Sequence, residues 1–156
     1  LVFNGHMADY SKIIIINGPN LNLLGEREPE HYGNTTLNGI KENCLEHIAK
    51  KNIKLIFEQS NDESAIIEMI QSVSEDDGII INAGAYTHTS IAIHDALKSS
   101  KSPAIEVHLS NIHKREEFRH KSYLSGVVDG IIIGLGDHGY ILALDAVIKI
   151  MKERVN

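Results

Sequence analysis

Apolar and polar residues alternate along this chain in blocks, as they do in a strand–helix repeat. Five short apolar runs rich in β-branched residues predict strands at residues 13–17, 53–57, 78–82, 104–107 and 130–134. Apolar residues at helical spacing predict helices at residues 37–51, 62–73, 90–99 and 140–153. Alternation of this regularity indicates a parallel sheet with helices on both of its faces.

Five parallel strands in one chain predict an α/β fold, a flavodoxin-like three-layer sandwich whose five-stranded sheet has the order 2-1-3-4-5. Ser60 and Glu63 form a capping-box pattern, which predicts where the second helix begins. Residues 1–7 look like a vector-derived leader ahead of Met7. We therefore expect residues 8–156 to form a single domain, a length that suits one core.

Composition narrows the classes of partner. The formal net charge of -6 argues against nucleic acid and against an anionic membrane surface as the partner. No apolar run approaches the roughly 18 residues of a membrane-spanning helix, and no secretory signal is visible. Cys44 is the single cysteine, which excludes an intrachain disulfide and a multi-cysteine metal site. A cytoplasmic location is the expectation.

Polar sequences follow four of the predicted strands. They read NGPN after the first strand, NAGAYTHTS after the third, EVHLSN at the fourth and GLGDHG after the fifth. Because the carboxyl ends of parallel strands meet at one edge of a sheet, these segments should converge. The sequence therefore predicts an active site at this edge.

The fourth strand carries the clearest candidate chemistry. Glu106, His108 and Ser110 alternate, so an extended backbone would point all three to the same side. A carboxylate beside an imidazole can fix its tautomer and raise its basicity. The alternative is that the strand has emerged into solvent and these are ordinary surface polar groups. A serine-hydrolase triad is a poor interpretation, since no G-x-S-x-G elbow exists.

Two loops add further candidates. His88 follows the third strand, and Thr89 or Ser90 is expected to cap the next helix, whose first N–H groups favour an anion or a hydroxyl-rich ligand. His88 as a plain turn residue remains an equal alternative. Residues 25–33 carry Arg27 and Tyr32 between glycines, which suggests a lid, and we expect it to be the least ordered internal segment.

Three cofactor motifs are considered and set aside. His108 and His113 lie five residues apart without H-E-x-x-H or paired carboxylates, so metal dependence is not expected. Gly134, Gly136 and Gly139 match G-x-G-x-x-G, but the second strand and acidic residue of a dinucleotide site do not follow. A tight turn beside the ligand is the better interpretation. NGPNLNLLG lacks the G-K-[ST] of a P-loop.

Taken together, four segments of the chain resemble type II 3-dehydroquinate dehydratase (type II dehydroquinase), a cofactor-free lyase family of the shikimate pathway that leads to chorismate and aromatic amino acids. They are NGPNLNLLGEREPEHYG, NAGAYTHTSIAIHDAL, EVHLSNIHKREEFRHKSYLS and GIIIGLGDHGYILAL. The resemblance implies anti elimination of water from 3-dehydroquinate through an enolate, giving 3-dehydroshikimate.

The resemblance also implies a role for individual residues. Tyr32 would be the base that removes the C2 proton, with Arg27 and Arg115 lowering its pKa. Asn20 would hold a water against the enolate. His108, oriented by Glu106, would be the general acid.

Substrate binding and assembly follow from the same resemblance. The substrate carboxylate would be held by Asn82, Ser110 and the backbone at Leu109. His88 and Arg119 would contact ring hydroxyls, and Asp95 would reach in from a neighbouring subunit. The family assembles as a homododecamer, a tetramer of trimers, and no cofactor, nucleic acid or membrane partner is implied.

Two competing functions remain. A Schiff-base dehydroquinase uses a lysine in a (β/α)₈ barrel of about 250 residues, for which the chain is too short. Within the converging loops only Lys114 is available, and we expect it to face solvent. A flavodoxin-like module that binds a nucleotide or another small molecule without catalysis would share the same strand pattern, because fold does not imply function.

Overall fold

The computed structural model describes residues 11–26, 30 and 35–155. Their strands are β1 (Ser11–Asn17), β2 (Ile53–Gln59), β3 (Gly78–Asn82), β4 (Ala104–His108) and β5 (Gly130–Ile133). They form one five-stranded sheet in the order β2-β1-β3-β4-β5. All four neighbouring pairs are parallel. The predicted flavodoxin-like α/β sandwich is therefore confirmed.

The four α-helices lie close to their predicted positions. They are α1 (Leu37–Ile48), α2 (Glu63–Gln71), α3 (Ile91–Ser99) and α4 (His138–Val155). Short 3₁₀ turns shape the loops at Leu21–Leu23, Gly84–His88, Ile112–Lys114, Glu117–Arg119 and Ser125–Val127. The main differences from prediction lie at helix ends, where α1 ends at Ile48 and α4 begins at His138.

Successive residues of the central strands feed two separate cores, one on each face of the sheet. Ile13 and Ile15 of β1 lie in the core covered by α1 and α4. Ile14 and Ile16 lie in the core covered by α2 and α3. All four are at most 2% exposed. This double burial explains why the strand reads as an uninterrupted apolar run.

The predicted capping box at the start of the second helix is wrong. The N-cap residue of α2 is Asp62, whose carboxylate accepts a hydrogen bond from Ser64 N at 3.0 Å. Ser60 is held at the end of β2 by its own N–H, which donates to Asn17 O. Its hydroxyl accepts from Asp62 N, so it stabilises the turn before the helix. For α3, the prediction was Thr89 or Ser90, and Ser90 is the N-cap residue.

The predicted leader at residues 1–7 lies outside the described residues, and so does most of the predicted lid at residues 25–33, including Arg27 and Tyr32. Among the helices that the structure describes, none is long and apolar enough to cross a membrane.

Gly18 brings the loop after β1 against the loop after β3. Its N–H donates to Asn82 O at 2.8 Å. A Cβ at this position would lie 2.2 Å from the carbonyl oxygen of Ala83, which is backbone and has little freedom to move. The absence of a side chain at Gly18 is therefore what lets these two loops meet.

Gly18→Ala should lower the free energy of unfolding by about 1–3 kcal/mol, because the new methyl group forces the two loops apart. Urea denaturation measures this. Gly126→Ala is the matched control, since a Cβ at Gly126 would have no atom within 4 Å. Equal stability of the two variants would contradict the close approach.

Candidate active site

A pocket opens at the carboxyl edge of the sheet, between the loops that follow β1, β3 and β4. Eight of the predicted site residues line it: Asn20, Asn82, His88, His108, Leu109, Ser110, Arg115 and Arg119. The convergence predicted from the four polar segments therefore occurs for three of the loops. Strand geometry brings together side chains that are up to 99 positions apart in the sequence, from Asn20 to Arg119.

Glu106 and His108 form a buried pair at the floor of this pocket. His108 Nε2 and Glu106 Oε2 are 2.5 Å apart. Glu106 is fully buried and His108 is 5% exposed. The alternative, a strand that has emerged into solvent, is therefore wrong for both residues.

Two serine hydroxyls complete the surroundings of the Glu106 carboxylate. Ser122 and Ser125 both donate to it, with shortest distances of 3.0 Å and 2.9 Å. Burial alone raises the pKa of a carboxyl, but the hydrogen bond and charge of His108 oppose that effect. With the two serines added, the pKa of Glu106 falls below its usual value. Glu106 is therefore ionised at neutral pH.

The ionised carboxylate determines the tautomer of His108. A carboxylate only accepts hydrogen bonds, so Nε2 of His108 carries a proton. The other ring nitrogen, Nδ1, is then the one that can take up or release a proton.

His88 lies beside His108 in the pocket, and its surroundings favour the neutral form of its ring. The two rings stack, with centroids 6.4 Å apart. Nδ1 of His88 lies 2.7 Å from Lys121 O and must donate to it, because a carbonyl only accepts. Burial lowers the pKa of His88, and the positive charge of Arg119 adds to that effect. Neutral His88 can therefore accept a hydroxyl hydrogen at Nε2.

Two arginines bring positive charge to the pocket wall. Arg119 Nε lies 2.9 Å from Glu116 Oε2, and Arg115 Nε lies 3.7 Å from the same oxygen. The Arg115 side chain is only 4% exposed. Glu116 thus holds two guanidinium groups side by side, and a pocket with such a wall favours an anionic or hydroxyl-rich ligand.

Asn20 has a left-handed backbone, with φ of 68°, at the mouth of the pocket. Asparagine tolerates this conformation better than most residues. Its N–H donates to Asn61 Oδ1 at 3.0 Å, and Gln59 Nε2 donates to the same oxygen. These two side chains at the end of β2 fix the loop that presents Asn20.

The glycines after β5 form the predicted tight turn. Gly134 and Gly136 have φ of 82° and 61°. Their N–H groups donate to the carbonyls of His108 and Leu109. The turn therefore holds the segment after β4 in place, and Ser110 lines the pocket just beyond that strand.

Four of the predicted site residues are not among those that line this pocket, and Glu106, which is fully buried against His108, is the first of them. Asp95 is exposed on α3 and borders a separate depression with Ala92 and Ala96. Arg27 and Tyr32 lie outside the described residues. Lys114 is exposed, as expected.

Sequence reasoning missed several residues that hold the site together: Asn17, Asn61, Glu116, Ser122, Ser125 and Tyr140. Ser122 and Ser125 lie in irregular segments, where no periodicity indicates which way a hydroxyl points. Tyr140 reads as the first apolar residue of a helix. Its phenol was the available signal, because a buried tyrosine hydroxyl usually has a hydrogen-bond partner.

Within the part of the chain that the structure describes, no group of three His, Cys, Asp or Glu side chains is arranged to hold a metal ion.

Comparison with known proteins adds an independent line of evidence. The family model for class II dehydroquinase matches residues 11–148. A 3-dehydroquinate dehydratase of Variovorax paradoxus is 50% identical over 143 residues, which cover 88% of this chain and 98% of that protein. One from Idiomarina loihiensis is 51% identical over 153 residues, covering 96% of this chain and 100% of that protein.

A solved structure points the same way. The crystal structure of type II dehydroquinase from Butyrivibrio crossotus superposes with a TM-score of 0.84 at 48% identity. The match covers 88% of this chain and 97% of the other. The sequence and structure comparisons thus match this chain to proteins of the same family over nearly the whole domain.

Replacing both Ser122 and Ser125 by Ala should raise the pKa of Glu106, because the ionised form loses two hydrogen-bond donors. Carboxyl ¹³C NMR titration measures this pKa. Ser64→Ala, at the exposed start of α2, is the control. The depressed pKa stabilises the wild-type fold above about pH 4.5, the usual value, and this contribution is lost as pH falls through the lower folded value. An unchanged Glu106 titration in the double variant would contradict the role of the serines.

Proposed function

Because the chain belongs to the class II dehydroquinase family, we propose that it dehydrates 3-dehydroquinate to 3-dehydroshikimate through an enolate, with a tyrosinate base and a histidine general acid. Family membership and the named relatives support the dehydratase activity itself. The observation that carries the proposed mechanism is the buried Glu106–His108 pair at the floor of a pocket lined by basic and amide side chains.

The reaction removes a proton from C2 and the hydroxyl from C1 of the ring. In the proposed first step, the phenolate of Tyr32 takes the C2 proton, and the electron pair moves onto the C3 carbonyl oxygen as an enolate. In the second step the enolate collapses, the C1–O bond breaks, and His108 gives its proton to the departing oxygen. Substrate loses one water, and a proton passes back from Tyr32 to His108 through solvent before the next turnover.

Tyr32 needs help to act as a base. A phenol with the ordinary pKa near 10 is only about 0.1% ionised at neutral pH, which costs roughly 4 kcal/mol. Positive charge nearby lowers that pKa. Arg115, buried at the pocket wall, and Arg27, five residues before Tyr32, are the proposed sources of that charge.

The enolate needs a hydrogen-bond donor that is already in place when charge develops. Asn20 is proposed to hold a water against the enolate oxygen. Its backbone is fixed by Asn61 and by the 3₁₀ turn that follows it. A donor fixed in this way costs little reorganisation during the reaction, which is the basis of oxyanion stabilisation.

His108 is proposed as the general acid because its ring lines the pocket and the Glu106 carboxylate holds its Nε2, which leaves Nδ1 as the nitrogen that exchanges a proton. Removal of one general acid typically costs 10²–10⁴-fold in rate. Glu106 is expected to matter almost as much, since its loss leaves both the tautomer and the charge of His108 unsupported.

The remaining pocket residues are proposed to bind the substrate. Asn82, Ser110 and the Leu109 backbone would hold the carboxylate. His88, as a neutral acceptor at Nε2, would receive a ring hydroxyl, and Arg119 would donate to another. These contacts exist in both the ground state and the transition state, so their loss should mainly raise KM.

The proposed activity is tested by following the ultraviolet absorbance of the conjugated enone product from 3-dehydroquinate. Turnover should survive a chelator and borohydride treatment, because neither a metal nor a Schiff base takes part. Tyr32→Phe should lower kcat by about 10²–10⁴-fold, as expected for loss of the base.

Tyr123→Phe, which changes a tyrosine outside the pocket lining, is the control and should keep the wild-type rate. Absence of turnover by the intact wild-type protein would overturn the enzyme assignment and favour the non-catalytic binding module. Loss of activity with borohydride would instead point to a lysine mechanism.

Assembly is proposed to complete the site. Asp95 is exposed and lies outside the pocket of its own subunit, yet the family resemblance gives it a substrate contact. Both statements hold if Asp95 reaches the pocket of a neighbouring copy. We therefore propose that a neighbouring subunit supplies this carboxylate. The family resemblance implies that the assembly is a homododecamer, a tetramer of trimers.

Mixed assemblies test this directly. Asp95→Asn and Tyr32→Phe subunits should each form assemblies of low activity. Assemblies containing both should regain activity, because some sites then combine an intact Tyr32 with a neighbour's intact Asp95. The two variant subunits are co-expressed, the mixed assemblies are isolated by size-exclusion chromatography, and their turnover of 3-dehydroquinate is compared with that of each parent variant. No gain over the two parent variants would place Asp95 outside the neighbouring site.

A further inference from the structure

A line of buried hydrogen bonds runs from the edge of the sheet to Asn82 in the pocket. Asn17 Nδ2 donates to Glu58 O at 3.0 Å. The Tyr140 hydroxyl donates to Asn17 Oδ1 at 2.7 Å, and Asn82 Nδ2 donates to the same hydroxyl at 2.9 Å. We call Asn17, Tyr140 and Asn82 the amide relay.

The direction of the amide relay is fixed at both ends by backbone groups, which cannot exchange donor for acceptor. The carbonyl of Glu58 only accepts, so Asn17 must turn its NH₂ group toward it and its oxygen toward Tyr140. The Tyr140 hydroxyl must then donate to Asn17. At the other end, Gly84 N donates to Asn82 Oδ1 at 3.3 Å.

These constraints leave one orientation for the Asn82 amide. Its oxygen faces Gly84, and one of its two N–H bonds points to the oxygen of Tyr140. The second N–H is the group that Asn82 can offer to a ligand in the pocket it lines. A flipped amide would present oxygen in its place, which repels an anion.

We propose that Tyr140 is a positioning residue, which acts through Asn82 to present an N–H donor to the carboxylate of the substrate. The inference rests on the proposed role of Asn82 in carboxylate binding. Tyr140 itself does not line the pocket.

Burial makes the relay rigid. Asn17 and Tyr140 are fully buried, and Asn82 is 4% exposed. Water therefore cannot substitute for a lost partner without opening the core. Burial also raises the pKa of the Tyr140 hydroxyl, so the phenol keeps the proton that it donates to Asn17.

The relay also joins separate parts of the fold. Asn17 and Asn82 are paired neighbours at the ends of β1 and β3, whereas Tyr140 belongs to the first turn of α4. Helix α4 would thereby contribute to substrate binding through the buried hydroxyl of Tyr140. No pattern within either strand would indicate this contribution.

A double-mutant cycle with Tyr140→Phe, Asn82→Ala and the combined variant tests the proposal by steady-state kinetics. Tyr140→Phe should raise KM for 3-dehydroquinate about tenfold, the cost of weakening one hydrogen bond to a charged group, and change kcat less. Asn82→Ala should raise KM at least as much. The combined variant should match Asn82→Ala, since Tyr140 then has nothing left to orient.

The binding affinities of two competitive inhibitors provide a second measurement. A general loss of stability would weaken both inhibitors alike, whereas a changed Asn82 orientation would weaken only the one that carries a carboxylate. Tyr140→Phe should weaken binding of a hydroxylated cyclohexane carboxylate. It should leave unchanged the binding of the same ring with a hydroxymethyl group in place of the carboxylate. Tyr123→Phe is the matched control, and it should leave both inhibitors and KM unchanged.

Several outcomes would overturn the proposal. An unchanged KM in folded Tyr140→Phe, or KM effects that multiply in the combined variant, would show that Tyr140 does not act through Asn82. An unchanged KM in Asn82→Ala would remove the carboxylate contact and the relay with it. Failure of the wild-type protein to turn over substrate would be a different result, because it would overturn the proposed function itself.

If Tyr140→Phe does not fold, Asn17→Ala provides the second test. It keeps the hydroxyl of Tyr140 but removes the acceptor that directs it. The same rise in KM and the same loss of carboxylate preference are expected. A folded Asn17→Ala with wild-type KM would overturn the relay.

Discussion

The buried charge of Glu106 is the constraint on which the pocket depends. A carboxylate without solvent is stable only when hydrogen-bond donors surround it. One donor, His108, comes from the same strand, but Ser122 and Ser125 lie 16 and 19 residues further along. The chain after β4 must therefore return over the end of that strand before β5 can begin. The returning segment also carries the two arginines and the Lys121 carbonyl that orients His88.

A second constraint acts next to Asn82 of the pocket, where the buried polar groups are neutral amides and a phenol. Asn17 and Asn82 are directly paired at the ends of β1 and β3, where the strands leave the core. Their amides satisfy one another through Tyr140 and bind backbone groups on either side. The loop after β1 is held against the loop after β3 by Gly18. The pocket thus has one wall organised by a charge and one organised by neutral amides.

Sequence patterns predicted the parts of this arrangement that follow from strand periodicity. The doubly buried run from Ile13 to Ile16 indicated a parallel sheet, and the spacing of Glu106 and His108 placed both on one side of β4. Residues outside regular elements could not be predicted in the same way. Ser122 and Ser125 act from irregular loops, and Asp62 replaced the predicted cap because a competing turn engages Ser60. The role of Tyr140 could not be predicted, because a tyrosine at a core-facing position of a helix is equally compatible with a purely packing role.

The proposed acid and base require opposite electrostatic surroundings. The proposed acid, His108, lies against the Glu106 carboxylate. A tyrosine base must favour its ionised form, so it needs positive charge. Glu116 lies beside both Arg115 and Arg119 and offsets part of their positive charge. The carboxylate of Glu106 is covered by His108 and two hydroxyls, which limits its reach toward the pocket. Arg115 and Arg119 line the pocket wall, where their positive charge would stabilise both an ionised phenol and an anionic substrate.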